Sequence, residues 1–173
     1  MQTEVVRQQV TIEGFAIRQA GVEDASVLAG VIREAFVGVA RQFGLDAQNC
    51  PTHPSNCDTD WVRSDFQKGK IYYMAMSAQA MGCVNFEYKD SGCGYLGRLA
   101  VLPSFRRRGV GRSLIATVEK RARSFGVRTL EIAIIAGYES LRKWYLGLGF
   151  APVRIDEYVH LPFKVEVMTK EVS

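Results

Sequence analysis

Leu99-Ala-Val-Leu-Pro-Ser-Phe-Arg-Arg-Arg-Gly-Val-Gly-Arg-Ser-Leu114 runs from an apolar strand ending at Pro103, through a short basic loop, into a helix beginning near Gly109. Gly109 and Gly111 let the main chain turn tightly and approach a ligand with no Cβ in the way. The first N–H groups of a helix lack intrahelical partners and point outward, which makes an anion site. Arg106, Arg107, Arg108 and Arg112 add positive charge around it. Such a loop suits a pyrophosphate. A nucleotide P-loop needs Gly-Lys-Ser/Thr, whereas Gly111 precedes Arg112-Ser113. The dinucleotide fingerprint needs a third glycine where Leu114 stands. A basic surface turn capping a helix is the competing account of the loop taken alone.

Downstream, Leu114, Ile115, Val118, Ala122 and Phe125 line one face of a helix spanning about Gly109 to Phe125, and Gly126 stops it. Thr129 to Ala136 is an almost wholly apolar strand, which predicts burial on both faces. Leu141, Trp144, Tyr145 and Leu148 then recur at helical spacing until Gly149, and Phe150 opens another strand. Phe163-Lys-Val-Glu-Val167 alternates with period two and predicts a last strand. Upstream, Phe15 to Arg18 reads as a first strand and Val27 to Val39 as a helical stripe. Gln42 to Asn56, with Gly44, Pro51 and Pro54, reads as a loop or broken helix, and Asp58 to Phe66 as a short helix. Ile71–Met76, Met81–Tyr88 and Tyr95–Val101 read as successive paired strands. These alternating elements predict one mixed α/β layer structure over residues 1–173, with no internal repeat and no linker.

Arg106-x-x-Gly109-x-Gly111 after an apolar strand resembles the acyl-CoA signature of the GNAT superfamily of N-acetyltransferases, whose loop has Gln or Arg, two free positions, Gly, one free position, then Gly or Ala. The strand Leu130 to Ala136, the helix carrying Trp144-Tyr145, and Gly149-Phe150 follow in the family's order. The resemblance implies an α/β (α+β) fold of about seven strands, a splayed, mostly antiparallel mixed sheet with helices on both faces. It implies a reaction in which acetyl-CoA passes its acetyl group directly to a primary amine of a small molecule or peptide. Leu99, Ala100 and Val101 would then line the pantetheine arm, and Arg106, Arg107, Arg108, Gly109, Val110, Gly111, Arg112 and Ser113 would wrap the pyrophosphate. The main-chain N–H of Leu99 would stabilise the oxyanion. Tyr145 would protonate the leaving CoA thiolate, a role that suits a phenol still protonated at neutral pH. As a bare sequence feature, Tyr145 also fits a core aromatic between Trp144 and Leu148.

Two positions depart from that pattern. Tyr138 stands where the family often has Asn, and Tyr95 stands where some members carry a glutamate base. Tyrosine is a poor base at neutral pH. Glu87, on the preceding strand, is a candidate base acting directly or through water. His53 and His160 are further candidates, and a water relay with no essential residue is a fourth.

Composition narrows the field. The chain has 173 residues, 47% hydrophobic and 23% charged, typical of a globular protein large enough to fold without metal or disulfide. Its longest apolar run, Ile71 to Met76, falls far short of a membrane span, and no membrane partner is expected. Met1-Gln-Thr-Glu-Val-Val-Arg-Gln-Gln-Val-Thr-Ile-Glu-Gly14 lacks an apolar leader core, which points to the cytoplasm. Four cysteines are then expected as free thiols. Cys50, His53 and Cys57 form Cys-x2-His-x3-Cys, three zinc-type ligands without a second pair, so no metal is expected. Asp46, Asp58, Asp60 and Asp65 cluster around the second helix and read as a solvated acidic face or as an attractor for a cationic amine. A non-catalytic acyl-CoA-binding module is the alternative function. Nucleic-acid binding ranks below it, because the arginine loop is one short cluster without interleaved aromatics. A homodimer is compatible with several of the strands as an edge.

Overall fold

Hydrophobic alternation along the central strands is what builds the molecule. In the computed structural model, which describes residues 10–12 and 14–172, Tyr72 and Met74 point to one side of strand β3 (Ile71–Met76) while Tyr73 and Ala75 point to the other. Both sides are buried, so the sheet is covered by helices on both faces. Helices α1 (Ala25–Phe43) and α2 (Thr59–Gln67) pack on the Tyr72 side. Helices α3 (Val110–Ser124) and α4 (Glu139–Gly147) pack on the Tyr73 side, where Leu114, Ile115 and Val118 meet Phe86 and Leu130. Each such side chain, fully buried, contributes about 1.5–3 kcal/mol.

The remaining strands are β1 (Val10–Ile12), β2 (Phe15–Gln19), β4 (Ala80–Tyr88), β5 (Cys93–Val101), β6 (Thr129–Ile135), β7 (Ala151–Asp156) and β8 (Val165–Glu171). They form one sheet in the order β1-β2-β3-β4-β5-β6-β8-β7. Seven correspond to the strands expected from the sequence, and β1 adds a short eighth at the edge. Every neighbouring pair is antiparallel except β5 with β6. The splayed, mostly antiparallel α+β arrangement is therefore the one present. Of the stretch read for a leader, residues 1–14, positions 1–9 and 13 lie outside the described residues.

Four local expectations need correction. Helix α1 runs on through Gln42 to Phe43, because the apolar stripe holds until Gly44 takes a left-handed conformation (φ 64°) and ends it. Strand β6 is buried on one face only: Leu130, Ile132 and Ile134 lie in the core, whereas Ala133 on the other face is exposed. The last strand is Val165–Glu171 rather than 163–167, and it does not alternate cleanly. Glu166 is buried between Val165 and Val167 because Arg142 of α4 meets its carboxylate at 2.9 Å. The acidic cluster is not a shared surface. Asp58 caps α2 by accepting from the Trp61 N–H, Asp60 pairs with Arg63, and Asp46 accepts from the Gln48 and Asn49 N–H groups. Asp65 is buried under α2, where Tyr72 Oη donates to it at 2.6 Å and Lys70 Nζ sits 2.9 Å away.

Candidate active site

Strands β5 and β6 pair in parallel through only three residue pairs, Cys93 with Thr129, Gly94 with Leu130 and Tyr95 with Glu131. Beyond Tyr95 each strand keeps its other neighbour. β5 stays with β4 as far as Val101, and β6 stays with β8 as far as Ile135. The two edges thus diverge, and a cleft of about 750 Å³ opens between Leu96–Val101 and Ile132–Ile135. A β-bulge accompanies the divergence. Arg98 and Leu99 stand opposite the single residue Val84, and Arg98 adopts a left-handed conformation (φ 51°). Such a backbone costs a non-glycine residue about 1–2 kcal/mol, the kind of strain that collects at functional sites. Two glycines make the neighbouring approach feasible: a Cβ on Gly82 would fall 2.6 Å from the Ala100 carbonyl oxygen, and one on Gly97 2.6 Å from Asn85 Oδ1.

The basic loop closes one end of the cleft. Arg107 (φ 61°) and Gly109 (φ 78°) both take left-handed conformations, and Gly109 is the N-cap of α3. The first turn of α3 therefore leaves the N–H groups of Val110, Gly111 and Arg112 without intrahelical acceptors, and these residues line the cleft. Gly111 is needed for a second reason: a Cβ there would meet the Trp144 ring at 3.3 Å. The Arg106 guanidinium does not point at a ligand. Its Nε donates to the Val101 carbonyl at 3.1 Å and its Nη2 to the Ala35 carbonyl at 2.8 Å, so it ties the loop to β5 and α1. Arg108 lies over the Phe105 ring, and neither it nor Ser113 lines the cleft; the Ser113 N–H makes the first helical bond, to Gly109.

Helix α4 supplies the back wall. Tyr145 is 5% exposed, with its ring 5.0 Å from that of Trp144 and 5.4 Å from that of Phe150, and it lines the cleft. Burial pushes its phenol pKa up, so the group stays protonated throughout the physiological range. Tyr95 also lines the cleft, and burial raises its pKa too, against a smaller opposing effect of Arg98. Tyr138, the N-cap of α4, faces the cleft with its ring edge against Phe43.

The three candidate bases part company. Glu87 is not among the lining residues: it pairs across β4 with Tyr95 and sits 3.8 Å from both Lys70 and Lys89. His160 is exposed beside Tyr158 and lies outside the cleft as well. His53 does line it, buried with its ring edge-on to Phe36. The Ser55 N–H donates to His53 Nδ1 at 3.2 Å, which puts the ring proton of the neutral form on Nε2. Burial, then the charge of Arg98, lower the His53 pKa. Cys50 and Cys57 diverge from His53 into separate apolar clusters, and burial holds the Cys57 thiol up at about 11. Among the described residues no three His, Cys, Asp or Glu side chains are grouped to hold a metal.

One lining residue, Arg98, was missed by reading the sequence. Its signal was present: a lone charge between Gly97 and Leu99, within a strand otherwise read as apolar.

The family model described as "Acetyltransferase (GNAT) family" matches residues 41–150, which hold the bulge, the basic loop and helix α4. An amino-acid acetyltransferase from Ectopseudomonas mendocina is 37% identical over 67 residues, 39% of this chain. The chain spans only 15% of the length of that relative. Among solved structures, a GNAT-family acetyltransferase from Staphylococcus aureus Mu50 superposes with a TM-score of 0.71 at 14% identity, covering 92% of this chain and 99% of the other. PaiA N-acetyltransferase from Thermoplasma acidophilum, solved with coenzyme A, gives 0.70 at 16% identity over 91% and 98% of the two chains. At these identities the superpositions establish the fold, and the match over 41–150 establishes the lineage: the chain belongs to the GNAT family of acetyltransferases.

Proposed function

We propose that this protein transfers the acetyl group of acetyl-CoA to a primary amine in a ternary complex. The observation that carries the reading is the cleft itself, with free helix N–H groups at one end and a buried, protonated tyrosine on its wall. The diphosphate would rest on the N–H groups of Val110, Gly111 and Arg112, helped by Arg107 and Arg112. The pantetheine arm would extend the open edge of β5 along Leu99 to Val101. PaiA, of the same fold, was solved with coenzyme A, in keeping with this assignment.

The neutral amine attacks the thioester carbonyl, and the Leu99 N–H stabilises the oxyanion that develops. As the tetrahedral intermediate collapses, the C–S bond breaks and Tyr145 gives its proton to the thiolate. The amine's proton leaves to water through the open cleft. His53 does not serve as the base in this reading, because its accepting nitrogen is already bonded to Ser55.

Calorimetry with CoA, followed by thiol-release assays with an amine panel, tests the proposal. Tyr145→Phe should lower kcat by about 100-fold, the range for a lost general acid, while CoA affinity stays within about twofold. Unchanged kcat removes Tyr145 from the mechanism. CoA binding without turnover on any amine favours a binding module instead.

A further inference from the structure

Resting on the acetyl-transfer reading, we infer that the acceptor is an α-amino acid with an apolar side chain, whose carboxylate is held by Arg98. No aspartate or glutamate lines the cleft, among the described residues, whereas four arginines do. Three of these belong to the loop end: Arg106 is bonded to two main-chain carbonyls, and Arg107 and Arg112 flank the start of α3. Arg98 is different. It lies three strand positions, about 10 Å, further down β5 than Val101, away from the phosphate cradle. Its guanidinium rests 5.5 Å from the centre of the Trp61 ring and has no carboxylate partner among the described residues.

A partly buried cation without a counter-charge is unfavourable in the free protein, and an anionic ligand supplies what is missing. The strained backbone at this position holds the arginine at the bulge itself, one residue from the N–H assigned to the oxyanion. A carboxylate beside the reacting amine, as in an α-amino acid, fits this adjacency better than one at the far end of a long chain. The same charge lowers the pKa of a nearby ammonium and so favours the neutral amine, in a cleft with no carboxylate base. A polyamine or aminoglycoside would bring further positive charge against four arginines. The lining also carries apolar and aromatic side chains, Phe36, Val39, Tyr138 and Phe163 among them, which suits an aliphatic or aromatic side chain on the substrate. His53, with its proton on Nε2, adds a neutral donor.

The test uses reaction products, so it does not depend on turnover. The purified full chain is saturated with CoA and titrated calorimetrically with N-acetyl-L-leucine and N-acetyl-L-phenylalanine, and with the amide of each. The acids should bind at least about tenfold more tightly than the amides, as expected for a charge-assisted pair. In Arg98→Gln that difference should vanish while CoA affinity is unchanged, and Arg98→Lys should restore part of it. Equal affinity of acids and amides in the wild type overturns the inference, as does binding of neither at millimolar concentration. These outcomes stand even if the variants misfold. Failure of CoA itself to bind is a separate signal: it removes the acetyl-transfer reading and this inference together.

Discussion

Tyr72 shows how one hydroxyl can organise a buried polar pocket. Its ring belongs to the core between sheet and helices, yet its Oη donates to the carboxylate of Asp65, which also holds Lys70. Burial, reinforced by the Asp65 hydrogen bond, raises the phenol pKa, so the hydroxyl remains a donor at any pH the protein meets. Tyr72→Phe keeps the packing and removes the donor, leaving a buried carboxylate short of one bond. The expected loss is about 1–3 kcal/mol, read as a fall in the urea midpoint with unchanged slope. No change would mean that Lys70 alone satisfies Asp65. The sequence allowed Asp65 only as one acid among four around α2. Nothing in its spacing told that it faced inward, because the tyrosine that receives it lies on another element.

At the scale of elements, the loop before α3 was legible in its main chain and illegible in its side chains. Gly109 and Gly111 announced a tight turn and an open helix start, and both are found. The arginines were read together as phosphate ligands, yet they divide. Arg106 latches the loop to α1, Arg108 lies over Phe105, and only Arg107 and Arg112 join it in lining the cleft. Such a division depends on which carbonyls lie within reach, and Ala35 is 71 residues away in sequence. Replacing the latch by Arg106→Met should weaken CoA binding by about tenfold, with little loss of global stability, since it frees the loop rather than opening the core. Isothermal titration beside a thermal melt separates the two effects; a lower melting temperature with unchanged CoA affinity would assign Arg106 to stability alone. The expectation that β6 is buried on both faces failed for a related reason: Ala133 borders an opening that the strand's own residues do not reveal.

Across the whole molecule, the sheet behaves as two blades, β1 to β5 and β6-β8-β7, joined by three parallel pairs and by the helices that span them. A ligand lying in the gap takes the place of the missing strand pairing. Saturating CoA should therefore slow hydrogen exchange at the open edges, Leu96–Val101 and Ile132–Ile135, more than in β2 or β3. At about 100 times its dissociation constant, CoA should also add about 2.7 kcal/mol to stability. Protection confined to the α3 loop would place the pantetheine arm outside the gap. The location of the gap was implied only by the family resemblance, whereas the order of elements was legible in the sequence itself, because each element carries its own apolar pattern. The width of the gap was not, since it follows from how the blades are held apart.

The placement of β8 between β6 and β7 bears on how the chain is made. In the first blade every strand pairs with the strand before or after it in sequence, so each partner of β1 to β4 is made by the time β5 is complete. In the second, Thr129 finds Glu171 and Ala151 finds Thr169, so β6 and β7 both wait for a strand synthesised after them. Until then the edge of β6 that takes β8, Thr129–Ile135, has its main-chain N–H and C=O groups without a strand partner. A nascent chain paused before β8 is thus a half-built protein with an open strand edge, and that interval is when it most needs a chaperone.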